Sequence, residues 1–134
     1  MYRYYQTHHK SPWTVIEDSP DVEEIVRKRG GTKLTILAVS EPVTDDTNRE
    51  NLAYKGPFYV DVDHRDLGIA IDSTQTLVRN LLGLGITEDN IELYCSGSKG
   101  FHIIVPATAF SSGRPRKNLP AVYLAMAHSM NARH

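Results

Sequence analysis

Residues Phe58–Asp63 read FYVDVD, and this strict alternation is the strongest constraint on the fold. Phe58, Val60 and Val62 project to one side of an extended chain, while Tyr59, Asp61 and Asp63 project to the other. A period of two fits a half-buried β-strand, so the chain must build a sheet with one apolar and one wet face. Residues 91–95 and 101–105 read as two further strands, separated by the turn SGSKG, which is too glycine-rich to continue either. Residues 33–39 (KLTILAV) form another β-branched, strand-like run.

Helices fill the intervals. Ser19 and Pro20 read as an N-cap and first turn, Asp21, Glu23 and Glu24 complement the positive helix end, and Gly30-Gly31 stops the helix after about Arg29. Asp72 and Ser73 are expected to cap a second helix running to about Leu84, with Leu77, Leu81 and Leu84 as its buried line and Gly83 or Gly85 as its stop. Leu119, Val122, Tyr123, Met126 and Met130 recur at helical spacing. Residues 41–56 and 107–119 read as connecting or irregular segments. The expected class is α+β, with helices packed on one face of an antiparallel sheet.

A chain of 134 residues, 40% hydrophobic and 23% charged, has the size and composition of one globular domain, here 1–134. The single cysteine, Cys95, rules out an internal disulfide and a cysteine-based zinc site, and reads most simply as a buried small residue. No run reaches ~18 apolar residues, so no membrane segment is expected, and a cytoplasmic or nucleoid-associated location is the default. Charge is uneven. Residues 1–100 hold 11 basic against 16 acidic side chains, a balance of −5, whereas 101–134 hold Arg114, Arg116, Lys117 and Arg133 with no acid. The GRPRK stretch reads either as a solvated loop or as a contact for a polyanion.

Two clusters carry candidate chemistry. Asp61 and Asp63 share a strand face with Cα atoms ~6.5 Å apart, so their carboxylates can converge on divalent cations, for which hard oxygen ligands favour Mg2+ or Mn2+. The alternative is a pair of solvated acids on a wet face, although aspartate is disfavoured in strands and two like charges repel. His64 and Asp66 follow directly and read as loop residues or as supports for the pair. In Ser96-Gly97-Ser98-Lys99-Gly100, glycines free backbone N–H groups, two hydroxyls add donors and Lys99 adds charge. An ordinary hairpin turn explains the same letters, and the Walker A pattern is absent. His102, placed opposite in sense to Phe101, Ile103 and Val105, falls on the polar sheet face.

Taken together, a strand with DxD, a helix, and a hairpin reading SGSKGFHI resemble the archaeo-eukaryotic primase superfamily, the primase-polymerases. FYVDVD resembles that family's first metal-binding motif and SGSKGFHIIVP its second, over residues 58–106. The resemblance implies a primase-type fold with an RRM-like sheet, and template-directed nucleotidyl transfer by two metals. It places Asp61 and Asp63 on catalytic Mg2+ or Mn2+. Ser96, Lys99 and His102 fall on the phosphates of a nucleoside triphosphate, Gly97 and Gly100 shape the turn, and Ser98 stands at a variable position. Arg114, Arg116 and Lys117 would meet DNA template or primer phosphates.

The family's third metal-binding acid normally lies on a strand beyond the second motif, yet no Asp or Glu follows Glu92. The expectation is therefore an N-terminal part of a longer primase, or a shortened form. Its site would be incomplete and its turnover doubtful, with a downstream domain, a partner chain or self-association completing the sheet. The main alternative is a noncatalytic RRM-like nucleic-acid-binding module stacking bases on Tyr59 and Tyr94. A rolling-circle endonuclease fits poorly, because His8 and His9 are adjacent and Tyr123 falls on an apolar helical stripe.

Overall fold

A computed structural model describes residues 1–47, 49–95, 100–110 and 114–131. The architecture is α+β, with antiparallel sheets. The chain divides into two compact units, Met1–Gly56 with Pro115–Leu119, and Pro57–Arg114 with Pro120–His134.

In the first unit, β1 (Tyr2–Gln6) pairs with β2 (Thr14–Glu17), then the chain forms α1 (Val22–Lys28), β3 (Lys33–Leu34), β4 (Ala38–Val39) and β5 (Tyr54–Lys55). The strand path runs β2-β1-β4-β5, and β3 also pairs with β1. Neither β1 nor β2 is legible as a strand in the sequence pattern. The expected 33–39 strand is split in two because Thr35 breaks its ladder. Its hydroxyl accepts the Tyr4 N–H at 3.0 Å, where a carbonyl would otherwise sit, and its own N–H donates to Tyr4 O at 2.9 Å. Helix α1 follows Asp21 rather than Ser19, with no side-chain cap, so the Ser19 assignment is corrected. Its end is as expected: Gly30 (φ +80°) occupies the left-handed position, and Gly31 N–H returns to Val26 O at 2.8 Å. A short 3-10 turn, Arg49–Asn51, lies in the expected loop, with Leu52 buried behind it.

The second unit carries β6 (Phe58–Asp63), α2 (Leu67–Gly83), β7 (Glu92–Cys95), β8 (Gly100–Val105) and α3 (Leu119–Asn131, from Pro120 onward). Its sheet is three-stranded, antiparallel, in the order β6-β8-β7. Phe58, Ile103 and Val105 point to one side and are fully buried against Leu77 and Leu81 of α2. Tyr123 and Met126 of α3 pack on the same cluster, so both helices cover one face, as the alternation of FYVDVD requires. Phe58 meets Phe110 and Tyr123 edge to face, at centroid distances of 5.9 and 5.5 Å. Full burial of a side chain such as Phe58, Ile103 or Val105 contributes roughly 1.5–3 kcal/mol. The Met130 side chain lies outside the described residues.

Helix α2 begins more than a turn earlier than its sequence suggests. Asp66, not Asp72 or Ser73, is the cap: its Oδ1 accepts Gly68 N–H at 2.8 Å and Ile69 N–H at 3.3 Å. The LGIAI run looks strand-like, but Ala70, Thr74, Leu77 and Leu81 form one buried helical line, which outweighs local β-propensity. Leu84 is 63% exposed, because it is the C-cap residue and lies past the last turn on that line. Cys95 is also exposed, correcting its expected burial, since β7 is an edge strand.

The α2 terminus is a Schellman motif: Ile86 N–H donates to Leu81 O at 3.2 Å and Gly85 N–H to Leu82 O at 3.0 Å. Gly85 has φ +93°, whereas Gly83 is helical, and a methyl group added there would meet nothing within 4 Å. Gly85→Ala is accordingly expected to cost about 1 kcal/mol of unfolding free energy, and Gly83→Ala to be neutral or to stabilise by about 0.5–1 kcal/mol. Urea denaturation of the two variants checks the difference in sign.

Candidate functional site

Strand register decides what the sheet presents. Along β6 and β8, Tyr59 lies opposite Ile104, Asp61 opposite His102, and Asp63 opposite Gly100. Along β7 and β8, Tyr94 lies opposite His102 and Glu92 opposite Ile104. Asp61, His102 and Tyr94 therefore form one row across all three strands, on the face away from the helices. Asp63 stands at the end of that face where Gly100 opens β8. His102 and Ile104 of β8 are turned outward because Ile103 and Val105 are needed inside.

The side chains meet where the backbone places them. His102 Nε2 lies 3.4 Å from Asp61 Oδ1, with side-chain exposures of 34% and 57%. Protonation of the imidazole makes this contact an ion pair. Tyr59 packs against the same imidazole, with ring centroids 5.2 Å apart and planes tilted by 51°. The ring is thus held from two sides. Burial, followed by the negative charge of Asp61, pushes the Tyr59 hydroxyl pKa upward. On β7, Tyr94 Oη donates to Glu92 Oε2 at 3.1 Å, and this hydrogen bond is the main reason its pKa is raised.

A groove of about 290 Å³ runs beside β6. Val60, Val62, Leu77, Leu124 and Ala127 give it an apolar side, and Asp61, Asp63, His64, Ser73 and His128 a polar one. β6 is the outer strand of its sheet on this side. His128 had no signal in the sequence, because only the packing of α3 brings it here. His64 and Asp66 serve the turn into α2: His64 Nδ1 accepts the Asp66 N–H at 3.0 Å, and Asp66 caps the helix.

Asp61, Asp63, Gly100 and His102 thus gather on one face, whereas Ser96, Gly97, Ser98 and Lys99 lie outside the described residues. Arg114, Arg116 and Lys117 are exposed. Arg116 is anchored by its backbone, exchanging two 2.8 Å hydrogen bonds with Tyr54, so this stretch is tied to β5. Tyr123 is a core residue packed on Phe58, in agreement with its place on an apolar stripe.

Two exposed carboxylates on one strand offer hard oxygen donors suited to Mg2+ or Mn2+. Among the described residues, no group of three His, Cys, Asp or Glu side chains is placed to hold a metal ion. No helix among them is long and apolar enough to cross a membrane. Comparison with protein-family models, curated proteins and solved structures finds no match.

The exposed Asp61–His102 contact is expected to contribute little to stability, because solvent screens it. Asp61→Ala should change the unfolding free energy by less than about 1 kcal/mol. Phe58→Ala, on the opposite face of the same strand, should cost about 3–5 kcal/mol. Chemical denaturation of both variants tests this division of labour between faces.

Proposed function

We propose that this chain binds a nucleoside triphosphate together with Mg2+ or Mn2+, and that it is a nucleotidyltransferase module of the primase-polymerase kind. The observation that carries the reading is the register pairing of Asp61 with His102, with Asp63 on the same face. Two acids and an imidazole drawn from different motifs meet over one patch, although 38 residues lie between Asp63 and His102 in the chain. In this reading the three-stranded sheet with helices behind it is the primase-type, RRM-like core.

The chemistry assigned to the site asks little covalent work of the protein. Asp61 and Asp63 would hold the cations, and the chemistry these would supply is neutralisation of charge on the phosphoryl oxygens and acidification of a primer hydroxyl. His102, steadied by Tyr59 and Asp61, donates a hydrogen bond to a phosphate oxygen. By the resemblance, Ser96, Lys99 and the Gly97 and Gly100 backbone would contact the triphosphate, and Arg114, Arg116 and Lys117 template or primer phosphates.

Asp61→Ala and Asp63→Ala are expected to abolish Mn2+-dependent binding of nucleoside triphosphate while leaving the far-UV circular dichroism unchanged. His102→Ala should weaken triphosphate binding about tenfold, the worth of a charged hydrogen bond, with little change in stability. Isothermal titration with and without Mn2+ reads all three. Undiminished metal-dependent binding by the double aspartate variant would overturn the proposal.

A further inference from the structure

Among the described residues, the open sheet face carries a largely exposed aromatic side chain, Tyr94, that neither the metal pair nor the phosphate contacts employ. Tyr94 is 52% exposed, sits directly opposite His102, and is secured by its hydroxyl on Glu92. A lone exposed tyrosine would need no explanation. This one lies in line with Asp61 and His102, and Glu92 holds its polar end, leaving a ring face for contact.

We propose that Tyr94 is the stacking surface for the nucleobase of a nucleotide whose phosphates lie toward Asp61 and His102. This assignment rests on the nucleotide-binding reading above. Two inter-strand steps, roughly 10 Å, separate the Asp61 and Tyr94 backbones. A single nucleotide covers that span when its phosphates are at one end of the row and its base at the other. Charge selects the occupant. Asp61, Asp63 and Glu92 all face this side, so a nucleic-acid strand laid across them would bring repeated phosphates over carboxylates. A mononucleotide carries its charge at one end only, where cations on the aspartates offset it. Its base is uncharged, and the amino groups of a purine can donate to Glu92.

The test compares ATP with inorganic tripolyphosphate, each with and without Mn2+, on the full chain, its Tyr94→Leu and Tyr94→Phe variants and the double aspartate variant, with a short oligothymidylate as a control. Base stacking on an aromatic side chain predicts that Tyr94→Leu weakens ATP about tenfold or more. Tripolyphosphate affinity should be unchanged, and Tyr94→Phe, which keeps the ring, should retain ATP binding. Thermal melts of both variants should match the parent, since the side chain is exposed. Equal ATP affinity in the parent and Tyr94→Leu overturns the proposal, as does equal loss for both probes. A loss confined to a short oligothymidylate would also overturn it, assigning the ring to single-stranded nucleic acid. Metal- and aspartate-dependent binding of both probes without a Tyr94 effect would leave the nucleotidyltransferase reading standing alone. A Tyr94 effect on ATP that ignores Mn2+ and both aspartates would do the reverse, and binding of neither probe would remove both.

Discussion

The antiparallel pairing of β6 with β8 is the interaction on which the second unit depends. It sets Phe58 against Val105 and Val60 against Ile103 on the inner face, and Asp61 against His102 on the outer. A slip of one residue would turn Asp61 and Asp63 into the core and Phe58 into water. Burying two carboxylates without partners costs several kcal/mol apiece, and exposing Phe58 forfeits its packing. The apolar face therefore locks the polar one in place. Geometry at the candidate site is a by-product of core packing rather than of contacts within the site.

That arrangement separates stability from chemistry. The helix-covered side, with Leu77, Leu81, Ile103 and Val105 fully or almost fully buried, supplies the burial that holds the strands. On the other side Asp61, His102 and Tyr94 are partly or largely exposed and contribute little to folding. Charged and aromatic groups on such a face are free to be chosen for binding. Tyr59 belongs to both descriptions: its ring leaves the open face only in part, and the contact with His102 restricts the imidazole. Residues aligned across a rigid sheet keep their spacing more faithfully than residues on loops.

Where the pattern was local, the sequence was legible. FYVDVD gives the bounds and facing of β6, and Gly30 and Gly85 mark helix ends because a positive φ is needed there. Where the outcome depended on distant partners, it was not. YRYYQ lacks a clean alternation, and becomes β1 only by pairing with segments from 14–17, 33–34 and 39. The KLTILAV run reads as one strand, but the Thr35 side chain competes for a backbone hydrogen bond and divides it. Helix α2 starts at Leu67, behind the Asp66 cap, because Ala70 and Thr74 found a core to face, which no local propensity for LGIAI reveals. Cys95 and Leu84 lie at an edge and past a helix end, so their apolar character did not bring burial.

By itself, the sequence determined that two aspartates share a strand face, that the strand following Gly100 bears a histidine, and that the class is α+β. These follow from periods and backbone preferences that act over a few residues. Only the tertiary structure decided that Asp61 faces His102 across a strand pair, that Tyr94 extends the same row, and that His128 lines the groove beside β6. Register and helix placement are set by long-range packing of apolar side chains, and that information resides in the assembled core rather than in any one segment.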